Sequence, residues 1–160
     1  MPNQNNPIPQ NQMPPAPGPA KLDDSDIYAL LQQVPFCYDR NKNVYGQAAI
    51  RGRLKWVRID SQEFLGHFQK FISTNYRQII SPTRIKNLLP MLTMHALEIG
   101  KLVELHNRVA RLDDAIYLET LNDAGDVIRV RPEGWDIIQD PPVIFKNYAH
   151  QAALPMPMHG

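Results

Sequence analysis

The most suggestive chemistry in this sequence is a run of cations interleaved with aromatic rings. Arg40, Lys42, Arg51, Arg53, Lys55 and Arg58 fall within nineteen residues, among Tyr38, Tyr45 and Trp56. Ammonium and guanidinium groups neutralise phosphates and release their counterions, and exposed rings stack on unpaired bases. The pattern points to a phosphate backbone held by the six cations, with Tyr45 and Trp56 stacking on bases. Single-stranded DNA is favoured over duplex. Arg108 and Arg111 are secondary candidates further along the chain. The alternative is a solvated strand face with Trp56 turned into the core.

The patterns that carry catalysis do not accompany this run. Gly100-Lys101 is the only Gly-Lys pair, and His95 stands where a phosphate-binding loop needs its first glycine. His67, His95 and His106 are not at helical ligand spacing. Cys37 has no nucleophile signature around it and reads as a buried thiol beside Phe36. Asp113, Asp114 and Glu119 could hold metal for nucleotidyl transfer, but Asp113-Asp114-Ala115 reads as a turn between strands. No catalytic residue, metal or cofactor is therefore expected.

Charge is unevenly spread over the 160 residues, although 17 Lys+Arg against 16 Asp+Glu leave only +1 overall. From Arg40 to Lys86 there are ten basic and two acidic residues, a balance of +8; from Glu98 to Asp140 there are five basic and ten acidic, a balance of −5. Either the first block faces an anionic partner, or the two blocks neutralise each other across the fold. No apolar run approaches the roughly 18–20 residues that cross a bilayer. With one cysteine and no secretory start, a cytoplasmic protein with no membrane contact is expected.

The elements that must position these groups follow from periodicity. Residues 1–22 are rich in Pro, Gln and Asn, and are expected to be a disordered tail. A domain is expected over 23–148, and a C-terminal tail or linker over 149–160. Residues 34–38 form a short apolar run, and residues 39–43 a turn. Residues 47–59 alternate, placing Ala48, Ile50, Leu54 and Trp56 on one face and Arg51, Arg53 and Lys55 on the other, with Gly52 as a bulge or hairpin turn. Asp60 or Ser61 caps a helix carrying Phe64, Leu65, Phe68, Phe71 and Ile72. Ser81-Pro82 starts a second helix with Ile85, Leu88, Leu89, Leu92 and Ala96, kinked or broken at Pro90 and ended by Gly100. Short strands follow at 102–105, 109–112, 115–121, 127–131, 135–138 and 143–146, with a hairpin loop at 122–126. The fold class is α+β: a single domain with two central helices packed on a mostly antiparallel sheet.

The C-terminal half resembles a known family. Asn107-Arg108-Val109-Ala110-Arg111, Asp113 to Glu119, Val130, Gly134-Trp135, Pro141 to Lys146 and Leu154-Pro155-Met156-Pro157 occur in an order similar to the region preceding the ATPase module. The family is that of primase-helicase-like replication proteins of phages, plasmids and genomic islands, relatives of the poxvirus type. Glu119 and Lys146 stand where that family usually has Asp and Arg. The resemblance implies an accessory role in replication of a mobile genetic element, beside a replicative helicase, ATPase or primase, and assigns no catalytic residue. The expected function is thus a non-catalytic DNA-binding domain. The alternative is a protein-interaction or homo-oligomerisation module docking through Phe64, Phe68, Phe71, Leu88 and Leu92.

Overall fold

The computed structural model describes residues 20–148 and 150–158. It is an α+β fold in which three helices pack with a first sheet, followed by two further sheets. Helix α1 (Asp24–Leu31) was not anticipated. Its signal is an Asp23/Asp26 capping box followed by Ile27 and Leu31, both fully buried. Strands β1 (Phe36–Tyr38), β2 (Val44–Ile50) and β3 (Arg53–Arg58) form an antiparallel set, and β4 (Lys101–Leu102) joins β1 in parallel, giving the order β3-β2-β1-β4. Helices α2 (Gln62–Tyr76) and α3 (Pro82–Ile99) are capped by the Ser61 and Ser81 hydroxyls, with Pro82 in the first turn of α3. Helix α3 runs unbroken through Pro90. That residue is on the exposed flank, where the carbonyl it leaves unpaired can be hydrated.

The three helices and this sheet share one core, built from Ile27, Phe36, Val57, Phe64, Ile72, Ile85, Leu92 and their neighbours. Phe64, Phe68 and Leu92, three of the five residues expected to form a docking surface, belong to it, whereas Leu88 is partly buried and Phe71 is 39% exposed. Gly46 is needed here: a side chain at that position would meet the Phe64 ring at 2.5 Å, so glycine lets α2 approach β2.

The rest of the chain forms a second four-stranded sheet and a two-stranded one. The expected strand at 102–105 divides into β4 and β5 (Leu105–His106). Strands β6 (Val109–Leu112), β7 (Ala115–Glu119), β8 (Val127–Arg131) and β9 (Gly134–Ile138) make an antiparallel meander in sequence order. Strand β10 (Ile144–Phe145) pairs in parallel with β5. A second core of Ala110, Ala115, Tyr117, Val127 and Phe145 lies on one face of the meander. Within the expected tail or linker over 149–160, the described residues 150–158 bond to the meander: the Leu154 amide donates to the Thr120 carbonyl at 2.7 Å, and the Gln151 side chain to the Asn107 carbonyl at 3.2 Å. At the other end, the expected tail over 1–22 gives way to structure at Leu22, whose amide donates to the Gln78 side chain; residues 1–19 lie outside the described residues.

Candidate nucleic-acid interface

The run from Gln47 to Ile59 is a hairpin, and this rearranges the expected faces. Arg51 and Gly52 sit at its tip with φ of 51° and 76°. A two-residue turn with positive φ at both positions matches the twist of the strands it joins. Because the chain reverses there, Ile50 pairs with Arg53 and Ala48 with Lys55. Arg53 and Lys55 therefore share a face with Ala48 and Ile50, opposite Leu54 and Trp56. Leu54, expected on the same face as Ala48 and Ile50, is on the other and is 63% exposed.

The ten cationic and aromatic candidates fall into three places. The first is the junction between the hairpin and the meander. Lys55 Nζ donates to Glu119 Oε1 at 2.7 Å, and Glu119 Oε2 accepts from Asn147 Nδ2 at 3.0 Å. Glu119 and Asn147 are both buried. Arg53 Nε donates to the Asp123 carbonyl at 2.9 Å, and Arg51 reaches the Leu121 carbonyl at 3.3 Å. These three cations line a cavity of about 70 Å³ together with Asn122, Tyr148 and Gln151. Only Lys55 is matched by a carboxylate in contact, because a carbonyl oxygen binds a guanidinium without cancelling its charge. Trp56 is half-buried beside the junction, and its carbonyl accepts from the Asn147 amide at 3.1 Å, which closes the outer edge of β3.

The second place is the opposite end of the hairpin, where Lys42, Arg58 and Lys86 line a groove of about 340 Å³ with Asp60 as its one carboxylate. Arg40 lies in the same β1–β2 turn as Lys42, and both are exposed. Asp39 holds this turn: its carboxylate accepts from the Asn41 and Asn43 amides, both at 2.9 Å, and from the Asn43 side chain. Burial alone would raise the Asp39 carboxyl, but these bonds outweigh it and hold it below the ordinary range. The Tyr45 hydroxyl also donates to Asp39, at 3.3 Å. Tyr45 is only 2% exposed, so the stacking role expected of it does not arise. Burial, then the Asp39 charge, push its hydroxyl up to about 12.

Arg58 is gripped at both ends of its fork by Asp60, at 2.9 and 2.8 Å, with both side chains about half exposed. A wet pair of this kind contributes at most about 1 kcal/mol, so a phosphate can displace Asp60 at little cost. Tyr148 lines the junction cavity and is also near enough to Arg58 to act on its charge, and it belongs to a cluster that the sequence reading missed. The Tyr148 and His150 rings stack with their centres 5.6 Å apart, and Lys146 Nζ sits 6.0 Å from the Tyr148 ring centre. The signal is Lys146-x-Tyr148-x-His150, a cation and two rings at alternate positions.

The third place is the meander. The Arg108 guanidinium bonds to the Ala152 carbonyl and so anchors the C-terminal segment, while Arg111 is exposed on β6 with no bonding partner among the described residues. Neither joins the other two groups.

The opposed charge blocks do not cancel wholesale. Among the described residues, Lys55–Glu119 is the one ion pair that crosses between them; Arg58–Asp60, Arg129–Asp136 and Arg131–Asp136 close within a block. Asp113 and Asp114 form the β6–β7 turn, with Asp113 at φ 55°. Glu119 is at the far end of β7, roughly 17 Å away at about 3.4 Å per residue, and bound to Lys55. The three carboxylates thus do not converge on one metal position. Cys37 is buried, and burial followed by the nearby Asp39 charge push its thiol up to about 12. Among the described residues no helix is long and apolar enough to cross a membrane.

No protein-family model, no curated protein and no solved structure matches this chain.

Proposed function

We propose that this chain is a non-catalytic nucleic-acid-binding domain whose phosphate contacts centre on Lys42, Arg58 and Lys86, with Tyr148 and His150 as the stacking pair. The observation that carries this reading is the groove itself: three cations, Lys42, Arg58 and Lys86, against one exchangeable carboxylate, with Tyr148 close enough to Arg58 for the two groups to interact electrostatically. Arg40 extends the cationic end, and Arg51 and Arg53 offer a second contact at the hairpin tip. An unpaired strand suits the rings better than a duplex, since stacking needs a free base face. The placement beside a replicative helicase or primase of a mobile element rests on the order of motifs in residues 107–157.

Anisotropy titration of a labelled single strand and of the matching duplex, each at two salt concentrations, tests the proposal. The single strand is expected to bind more tightly, with affinity falling steeply as salt rises. Lys42→Glu with Lys86→Glu removes two phosphate contacts and flattens the slope of log K against log salt by about 1.4, at about 0.7 per contact on a single strand. Absent binding, or binding indifferent to salt, overturns the proposal.

A further inference from the structure

A groove of about 370 Å³ opens between α2, the end of α1 and the hairpin. Phe64 and Phe68 of α2 line it with Val34 and Pro35, and Leu54 and Phe71 stand in it at 63% and 39% exposure. None of its ten lining residues is Asp, Glu, Lys or Arg. Its one titratable group, His67, accepts the Ala49 amide at 3.1 Å, and burial, then the Lys70 charge, favour the neutral ring. A row of rings leads from the groove to the end of α2: the Phe68 and Phe71 centres are 6.0 Å apart, and those of Phe71 and Tyr76 6.2 Å. Two residues further on, Gln78 holds the start of the described chain. Its side-chain amide donates to the Ala20 carbonyl and its side-chain carbonyl accepts the Leu22 amide, both at 2.9 Å.

We infer that this groove is filled by the chain's own residues Met13 to Pro17, docked as a polyproline turn. Grooves that take such segments are lined by aromatic rings, and they gain from a ligand whose backbone is already restrained. Residues 1–19 hold seven prolines and no charged side chain, which matches a groove with no charge of its own. A charged ligand would lose hydration there without meeting an opposite charge. The distances agree with the same occupant. Along the helix, Gln78 is about 10 Å from Phe71 and about 20 Å from Phe64, at 1.5 Å per residue. A polyproline chain rising 3.1 Å per residue covers these spans from Ala20 in about three and seven residues, which sets Pro17 near Phe71 and Met13 near Phe64. Pro14 and Pro17, three positions apart, fall on one edge of such a helix, and the Met13 thioether suits a pocket of rings. Attachment through Ala20 makes the encounter intramolecular, so a contact too weak to capture a separate peptide still fills the groove.

A nitroxide on Gln12→Cys tests this in the full chain, since the native Cys37 is buried and leaves the new thiol as the reactive one. In amide NMR spectra the label is expected to erase the signals of Leu54, His67 and Phe68 and to leave those of the meander intact. Pro14→Glu combined with Pro17→Glu restores the erased signals while the circular dichroism spectrum stays unchanged. Leu54→Glu, at an exposed position, restores them from the groove side. Mixing spin-labelled chain with isotope-labelled chain that carries no nitroxide leaves the signals intact, because the contact lies within one chain. Groove signals that survive in the spin-labelled parent overturn the inference and leave the groove to another protein. Signals that stay erased in either glutamate variant overturn it too, as does equal loss in the mixture, which would place the segment of one copy on another.

Discussion

Lys55→Met tests whether the junction pin holds the two cores together. The change keeps the aliphatic stem and removes the ammonium, leaving Glu119 charged with only the Asn147 amide for company. Removing one partner of a fully buried pair costs about 3–5 kcal/mol, whereas an exposed pair contributes at most about 1 kcal/mol. The Lys55 side chain is 22% exposed and that of Glu119 only 4%, so the expected loss is about 2–3 kcal/mol. Glu119→Gln should cost less than Lys55→Met, because the orphaned ammonium can reach water and the orphaned carboxylate cannot. The double variant should lose less than the sum of the singles, with a coupling of at least about 1 kcal/mol. Urea unfolding measures all four proteins, and the chain supplies its own probes: Trp56 is in β3 and Trp135 in β9, so Trp56→Phe and Trp135→Phe backgrounds report one half each. In the parent chain the two fluorescence transitions coincide; in Lys55→Met the transition seen by Trp135 moves to lower urea first. A loss under about 0.5 kcal/mol with no coupling would refute the reasoning and reduce Lys55–Glu119 to a surface pair.

Three further outcomes follow from local geometry. Arg51 holds φ of 51° at the hairpin tip, so Arg51→Asn, which makes the Asn-Gly pair such turns favour, should raise stability by about 0.5–1 kcal/mol in thermal melts; no gain means that the Leu121 contact outweighs the backbone relief. His67 Nδ1 accepts the Ala49 amide at 3.1 Å, and burial, then the Lys70 charge, hold its pKa below the usual value. The folded state therefore prefers neutral His67, so its contribution is complete above the unfolded pKa of about 6.5 and is lost as pH falls below it. Melting temperature should drop on acidification through that window, and His67→Gln should flatten the drop. Cys37, with its thiol pushed up to about 12, should react with a thiol reagent at pH 8 no faster than the chain unfolds, and a rapid stoichiometric reaction would show the site is open.

The sequence declared its helices better than its faces. Ser61 and Ser81 cap α2 and α3 where expected, and Gly100 closes α3, because capping is local chemistry that four residues can specify. The strands of the meander were legible for the same reason, each bounded by Asp, Asn, Gly or Pro. What the hairpin does with Arg53 and Lys55 was not: Gly52 reads as a bulge or as a hairpin turn, and only the turn exchanges the faces. One turn at Arg51-Gly52 exchanged the partners of every residue after it. Tyr45 illustrates the second limit: nothing near it in sequence announces that Asp39 and the core will enclose it. The Tyr148–His150 pair illustrates the third, since its place beside Arg58 depends on the pairing of Lys146 with Trp56, ninety positions earlier.

That pairing has a consequence for how the chain comes to be. Lys146 and Asn147 are at once the continuation of β10 along β5 and the cover for the free edge of β3. During synthesis, the amino-terminal layer is complete long before they emerge. Until then the hairpin carries an unsated row of amides and carbonyls, and Glu119 has no amide to share. A nascent chain stalled or clipped ahead of residue 146 thus presents a sticky strand to its neighbours, while the finished one conceals it with its last few residues of sheet.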